Sequence, residues 1–226
     1  MVLASDFDSI GVSLPREWVN MPVELRAFEM MCGELRRRWR EAPDWNRTDE
    51  RQAELLLGRV RSELVHRNVR FAAMYADAGS AGDGDDGEAL MAVVTFATYT
   101  KDDLGTTLDL TFQNLLAALA VKPRKNDELR RITNLEPPRK HDLRLGRSVR
   151  LRRLYELSRT VPGQPSRYYG ESFVLPVGDD ATTCGVLQFV TTNLQHARPF
   201  SELFEAIANT VTLFTPDDET EVVHLP

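Results

Sequence analysis

The tightest constraint on this chain comes from its second half. There, three stretches with strand character (147–158, 167–177 and 185–192) follow one another with only turn residues between them. Pro162-Gly163-Gln164-Pro165 and Gly178-Asp179-Asp180 supply those turns. Strands joined so briefly pair antiparallel, because a parallel pair needs a crossover of a dozen residues or more. The same signature recurs earlier. Phe71, Ala73 and Tyr75 begin one strand, 79–87 reads as a turn, and 90–98 is the return strand. Ile10, Val12 and Leu14 alternate with polar residues, which predicts a half-buried strand ended by Pro15, with Trp18 and Val19 packing back onto the domain. A short strand is expected at 132–135.

Helical periodicity fills the remainder. Phe28, Met31, Leu35 and Trp39 fall on one face of a helix that starts near Asn20 and Pro22. The run Arg36-Arg37-Arg38 with Arg40 lies at its C-terminal end, where cations complement the dipole. Thr48 is a natural N-cap for a second helix carrying Ala53, Leu56, Val60 and Leu64 and ending near Asn68. A third spans about 106–120 with Leu108, Phe112, Leu115, Leu116 and Leu119 inward. A fourth spans about 199–210 with Phe200, Leu203, Phe204 and Ile207 inward. The first two form a helical hairpin at about 22–68 that must lie against something apolar, most simply the sheet. The expected fold is α+β: a largely antiparallel sheet flanked by helices, in one domain over 1–226 with a loose acidic tail at 216–226.

Several function classes lose support at this stage. A net charge of −6 argues against a dedicated nucleic-acid binder, which needs a basic balance to meet phosphates. No stretch is apolar for the length of a membrane span, and Asp6 and Asp8 interrupt a start that has no signal-peptide character. Cys32 and Cys184 read as core thiols, which suits a reducing compartment. The expected location is cytoplasmic, and the Asn46-Arg47-Thr48 sequon is read as chance.

Metal and catalytic patterns fare no better. Counting from Asp77, Gly82 and Glu88 occupy positions six and twelve of a calcium loop. Gly79 and Ala81, however, stand where two oxygen ligands are required. His66, His141, His196 and His224 show no ligand spacing, and neither Gly-x-Ser-x-Gly nor a phosphate-cradling glycine loop occurs. The reading therefore names no catalytic residue, no metal site and no cofactor.

What remains is a charge asymmetry. Residues 122–159 hold thirteen Lys and Arg against five Asp and Glu, a balance of +8, so the rest of the chain carries −14. Such a dipolar surface can steer an acidic partner, unless the arginines pair with the acidic remainder within the fold. Strand parity sharpens the point. Val149, Leu151, Tyr155 and Leu157 share a face with Arg153, whereas Arg150, Arg152 and Glu156 share the other. An arginine on an apolar face must find a carboxylate or reach an edge. Arg150, Arg152, Arg153 and Tyr155 are thus the candidate partner-binding residues, with Arg153 beside Tyr155 in a groove.

Both ends of the chain carry a resemblance. Gly11-Val12-Ser13-Leu14-Pro15-Arg16-Glu17-Trp18 resembles the "fSLPxxW" start of small actinobacterial proteins of uncertain function. The segments Tyr168-Tyr169, Val174-Leu175-Pro176-Val177, 185–193 (GVLQFVTTN) and 200–210 (FSELFEAIANT) resemble their "F-x-T-x-N … L-F-d-a-I-a-x-T" ending. That group is in turn similar to the LpqN-type lipoproteins, although this chain shows no lipidation cysteine near its start. The resemblance implies the PsbP-like fold, an α/β/α sandwich shared by a Ran-binding factor, a photosystem subunit and Eag-type secretion chaperones. It brings no catalytic motif.

The expected function is a non-catalytic protein-binding module, an adaptor or chaperone-like protein whose partner is acidic. Two alternatives stand beside it. One is an enzyme acting on a small anionic substrate through Arg153, Tyr155 and His141; the other is a structural assembly subunit.

Overall fold

The computed structural model describes residues 9–41, 57–58, 60–62, 64–77, 90–103, 110–120, 129–157, 167–177 and 182–214. Among these, ten strands and five helical segments follow in the order β1 (Ser9–Gly11), β2 (Trp18–Asn20), α1 (Leu25–Glu41), helical residues between 57 and 66 (α2), β3 (Val69–Asp77), β4 (Leu90–Thr100), α3 (Phe112–Ala120), β5 (Leu129–Asn134), β6 (Arg139–Leu143), β7 (Gly146–Leu157), β8 (Arg167–Val177), β9 (Thr183–Thr191), a 3-10 turn (Leu194–His196), α4 (Ala197–Ala208) and β10 (Thr212–Phe214). One sheet runs β2-β3-β4-β9-β8-β7-β5, with β6 also on β7, and every described pairing is antiparallel. The fold is thus mixed α+β around a large antiparallel sheet.

The long strands fall where alternation and turn residues place them, because both faces of the central strands are covered. On one face, Phe200, Phe204 and Ile207 of α4 meet Val94, Phe96, Phe173, Leu187 and Phe189. Phe204 stacks on Phe189 with centroids 4.6 Å apart. On the other face, Leu116 and Leu119 of α3 pack near Val149, Leu151 and Val174, while Leu57, Val60 and Leu64 of α2 cover Val69, Ala72 and Ala97.

Three strands were missed by periodicity, for one common reason. β2 and β10 have three residues each, and only Leu143 of β6 (RKHDL) is buried. None is long or alternating enough to show a period. The 10–14 strand shortens to β1, which pairs with β10. Val12 and Leu14 alternate because they pack on the α4 core, not because they extend a ladder. Helix α1 starts at Leu25, after the expected Asn20, because the Glu24 carboxylate accepts hydrogen bonds from the Arg26 and Ala27 amides at 2.9 and 2.7 Å. Those bonds hold the Glu24 carboxyl below its ordinary range. At the other end of α1, Arg37 pairs with Glu34 at 2.7 Å. At the β6–β7 turn, Gly146 has φ 141°, a backbone conformation that residues with a side chain rarely adopt although the space around it is open.

The expected Thr48 cap, the 79–87 turn with most of its calcium-loop count, the turns at 162–165 and 178–180 and the tail at 216–226 lie outside the described residues. Among the described residues, no helix is long and apolar enough to cross a membrane, and no three His, Cys, Asp or Glu side chains gather as metal ligands.

Candidate functional site

Strand parity divides the four candidate residues between the two faces of the sheet. Arg150 and Arg152 point toward α4. There they meet Glu171 of β8, whose side chain is wholly buried. Arg150 donates from Nε to Glu171 Oε1 and from Nη1 to Glu205 Oε2 at 2.8 Å. Its guanidinium also lies 5.4 Å from the Phe173 ring centroid. Arg152 donates to Ser201 Oγ at 2.7 Å, and its Nε sits 3.5 and 3.6 Å from Glu171 and Glu136, too far for a hydrogen bond. Tyr169 and Ser201 each donate a hydroxyl to Glu171 Oε2, at 2.6 and 2.7 Å. Burial, then the Glu171 hydrogen bond, push the Tyr169 hydroxyl far above its ordinary pKa.

This cluster is a closed charge account between two strands and α4. A buried charge demands a partner, and here each carboxylate has one. Arg150 and Arg152 therefore pair with acids of the same fold, the alternative that the sequence left open. His141 is on the same face, its ring 5.3 Å from Phe173 and its Nε2 3.5 Å from Glu205.

Arg153 and Tyr155 project to the opposite face. Arg153 donates from Nε to Asn134 Oδ1 at 3.0 Å on the neighbouring rim strand, so it is braced at the edge, as an arginine on an apolar face must be. Tyr155 lies flat over Gly170: a Cβ at that glycine would sit 2.4 Å from the ring. Its centroid is 6.1 Å from that of Tyr168. The alternative catalytic trio is not assembled, since the sheet separates His141 from Arg153 and Tyr155.

Around Tyr155 opens a trough of about 420 Å³. Its apolar lining comes from Leu64, Val69, Val93, Ala97, Leu157, Val186 and Val190, and its polar lining from Thr95, Tyr99, Tyr168, Gln188 and Arg67. Reaching from Val69 on β3 to Tyr155 on β7, it crosses four inter-strand steps of about 4.8 Å, roughly 19 Å in all. Burial pushes the Tyr99 hydroxyl pKa up, while the nearby Arg67 charge pulls it down. Trough residues come from five strands, a helix and the turn after it, which is why sequence reasoning found only Tyr155 among them. Glu171 was missed too, although it is the one acid in an apolar strand beside two arginines.

Other arginines of the basic segment do face outward. The β6–β7 hairpin carries Arg139, Lys140, Arg144 and Arg147 against Asp142, a balance of +3. Arg139 and Lys140 lean on Glu136 and Asp142 at 3.0 and 3.6 Å. Arg144 and Arg147 are exposed and take no carboxylate among the described residues.

Comparison with protein-family models, curated proteins and solved structures yields no match. The residues that carry the sequence resemblance turn out to be ties between elements. The Met91 amide donates to Asn193 Oδ1 at 2.8 Å, and Thr191 Oγ1 donates to the Met91 carbonyl at 2.6 Å, which fastens the end of β9 to β4. Thr210 accepts from the Ser13 amide at 3.0 Å and donates to the Ile207 carbonyl at 2.7 Å, which fastens the N-terminal segment to the end of α4. Trp18 packs on Tyr75 with centroids 5.9 Å apart.

Proposed function

We propose that this chain is a non-catalytic protein-binding module, an adaptor or chaperone-like protein, whose site is the trough beside Tyr155. The observation that carries the reading is the trough itself. It combines apolar walls, three tyrosines and a few convergent polar groups over the middle of a rigid sheet, the usual chemistry of a recognition surface. Tyrosines suit that role because they offer large contact area at little conformational cost. The outward arginines of the β6–β7 hairpin support an acidic partner by steering its approach. Helices on both faces of an antiparallel sheet support the PsbP-like α/β/α reading and, with the two terminal motifs, the likeness to the LpqN-type group. A cytoplasmic setting belongs to the same proposal.

The test places the photoreactive residue p-benzoylphenylalanine at Tyr168, in the trough, or at Arg198, on the α4 face. Irradiation in an extract of the source cells should give discrete protein adducts from position 168 and few from 198. Equal yields from the two positions, or none from 168, defeat the reading.

A further inference from the structure

The last strand of a sheet shows a row of main-chain donors and acceptors on its outer side. β5 is such a strand: it pairs with β7, and no described strand lies beyond it. The ladder tells which of its groups are open. The Leu135 amide donates to the Arg152 carbonyl at 2.9 Å. Hydrogen-bonded positions alternate along an antiparallel pair. Thr133, opposite Leu154, therefore also turns its amide and carbonyl toward β7. Ile132 and Asn134, opposite Tyr155 and Arg153, turn theirs outward. Pro137 and Pro138 follow, and they have no amide hydrogen to continue the open row of β5.

A second extended backbone complements such a row, because it presents alternating donors and acceptors at the same repeat. A helix has spent those groups internally. Charge then decides whose backbone fits. Arg131 is exposed on the α4 side of this rim and takes no carboxylate among the described residues. Glu156, across the ladder from it, pairs with Arg167 at 3.7 Å. On the opposite side of the rim Arg153 meets Asn134 Oδ1 at 3.0 Å, a neutral partner that leaves its charge uncompensated. A second copy of this chain laid edge to edge would set these arginines against their own equivalents, and like charges across a ladder repel. A strand that carries acids gains on both sides.

We infer that the β5 rim is a strand-addition site for an extended acidic segment of another protein. The rim is a surface distinct from the trough, so the inference stands or falls without it.

The experiment selects random linear octapeptides on the purified full chain and locates the strongest binder by amide-resolved hydrogen exchange and NMR shift changes. The enriched peptides should be rich in Asp and Glu. Binding should slow exchange at the Ile132 and Asn134 amides about tenfold or more, and leave Thr133, already bonded to β7, unchanged. Alternate amides of an added strand face the rim. Methylating one alternate set of peptide nitrogens should therefore weaken binding about tenfold or more, and methylating the other set should change it little. Ile132→Pro removes an outward donor and keeps the ladder to β7, so it should weaken binding likewise. The methylated peptides serve if that variant fails to fold. Arg131→Glu should weaken the acidic peptides about tenfold.

The contrary results are equally definite. Failure to enrich any peptide overturns the inference, as does enrichment without acids or indifference to Arg131→Glu. Equal effects of the two methylation sets, or unchanged exchange at Ile132 and Asn134, overturn strand addition. Shift changes centred on Gln188 and Val190 place the peptide in the trough, which supports the binding-module reading and overturns this one. Protection of the rim amides that rises with protein concentration alone assigns the rim to a second copy, and overturns it too.

Discussion

Replacing Glu171 by glutamine removes one charge and almost no volume from a polar cluster buried between the sheet and α4. The glutamine keeps one oxygen for the Arg150 Nε. Its amide nitrogen then faces Tyr169 and Ser201, whose hydroxyls can rotate to accept. Arg150, only 11% exposed, loses half of its charge compensation, although Glu205 still holds it at 2.8 Å. Removing one partner from a buried ion pair costs about 3–5 kcal/mol, and the surviving Glu205 contact places this case near 3 kcal/mol. For a chain of this size that corresponds to roughly 6–12 °C in Tm. Urea unfolding followed by tryptophan fluorescence, with linear extrapolation, measures the loss. A double-mutant cycle with Arg150→Met should return a coupling of about 2 kcal/mol. A loss below about 1 kcal/mol, the range of exposed pairs, would mean that the cluster is solvated and that Arg150 and Arg152 are free for a partner after all.

Three further outcomes follow from the same packing. Burial pushes the Cys184 thiol up to about 11 from an ordinary value near 9. Between pH 9 and 11 the unfolded chain therefore releases a proton that the folded chain keeps, and stability falls as pH rises, by about 2 kcal/mol at pH 11. Cys184→Ala should flatten that part of the stability–pH profile, and an unchanged slope would assign the loss to other groups. Phe204→Ala, at a fully buried ring stacked on Phe189, should cost about 3–5 kcal/mol in the same unfolding assay, whereas a loss under about 1 kcal/mol would place the α4 contact at the periphery. Asn193→Ala leaves the Met91 amide without its acceptor and should cost about 1–3 kcal/mol. Faster hydrogen exchange at Met91 is the local readout, and unchanged protection there would refute the tie between β9 and β4.

Much of the secondary structure was legible. β3, β4, β7, β8, β9 and α4 come within a few residues of their expected limits, since each is long, periodic and bounded by turn residues. β2, β6 and β10 were not, because a three-residue strand or a charged rim strand gets its hydrogen bonds from a neighbour and carries no pattern of its own. The site was legible only as parity. Alternation along 149–157 correctly placed Arg150 and Arg152 opposite Arg153 and Tyr155, but it could not say what each face would meet.

Composition and periodicity, being local, determined that this chain makes antiparallel strands with two apolar faces and helices to cover them. The partners of its charges were decided only in three dimensions. Glu171 reaches Arg150 because β8 lies beside β7 in one particular register, and Glu205 joins them because α4 crosses that face. The trough exists because Tyr155, Val190 and Val93 come together across strands remote in sequence, with Gly170 leaving room for the Tyr155 ring. Register and helix placement are properties of the whole packing, so no stretch of sequence read alone contains them.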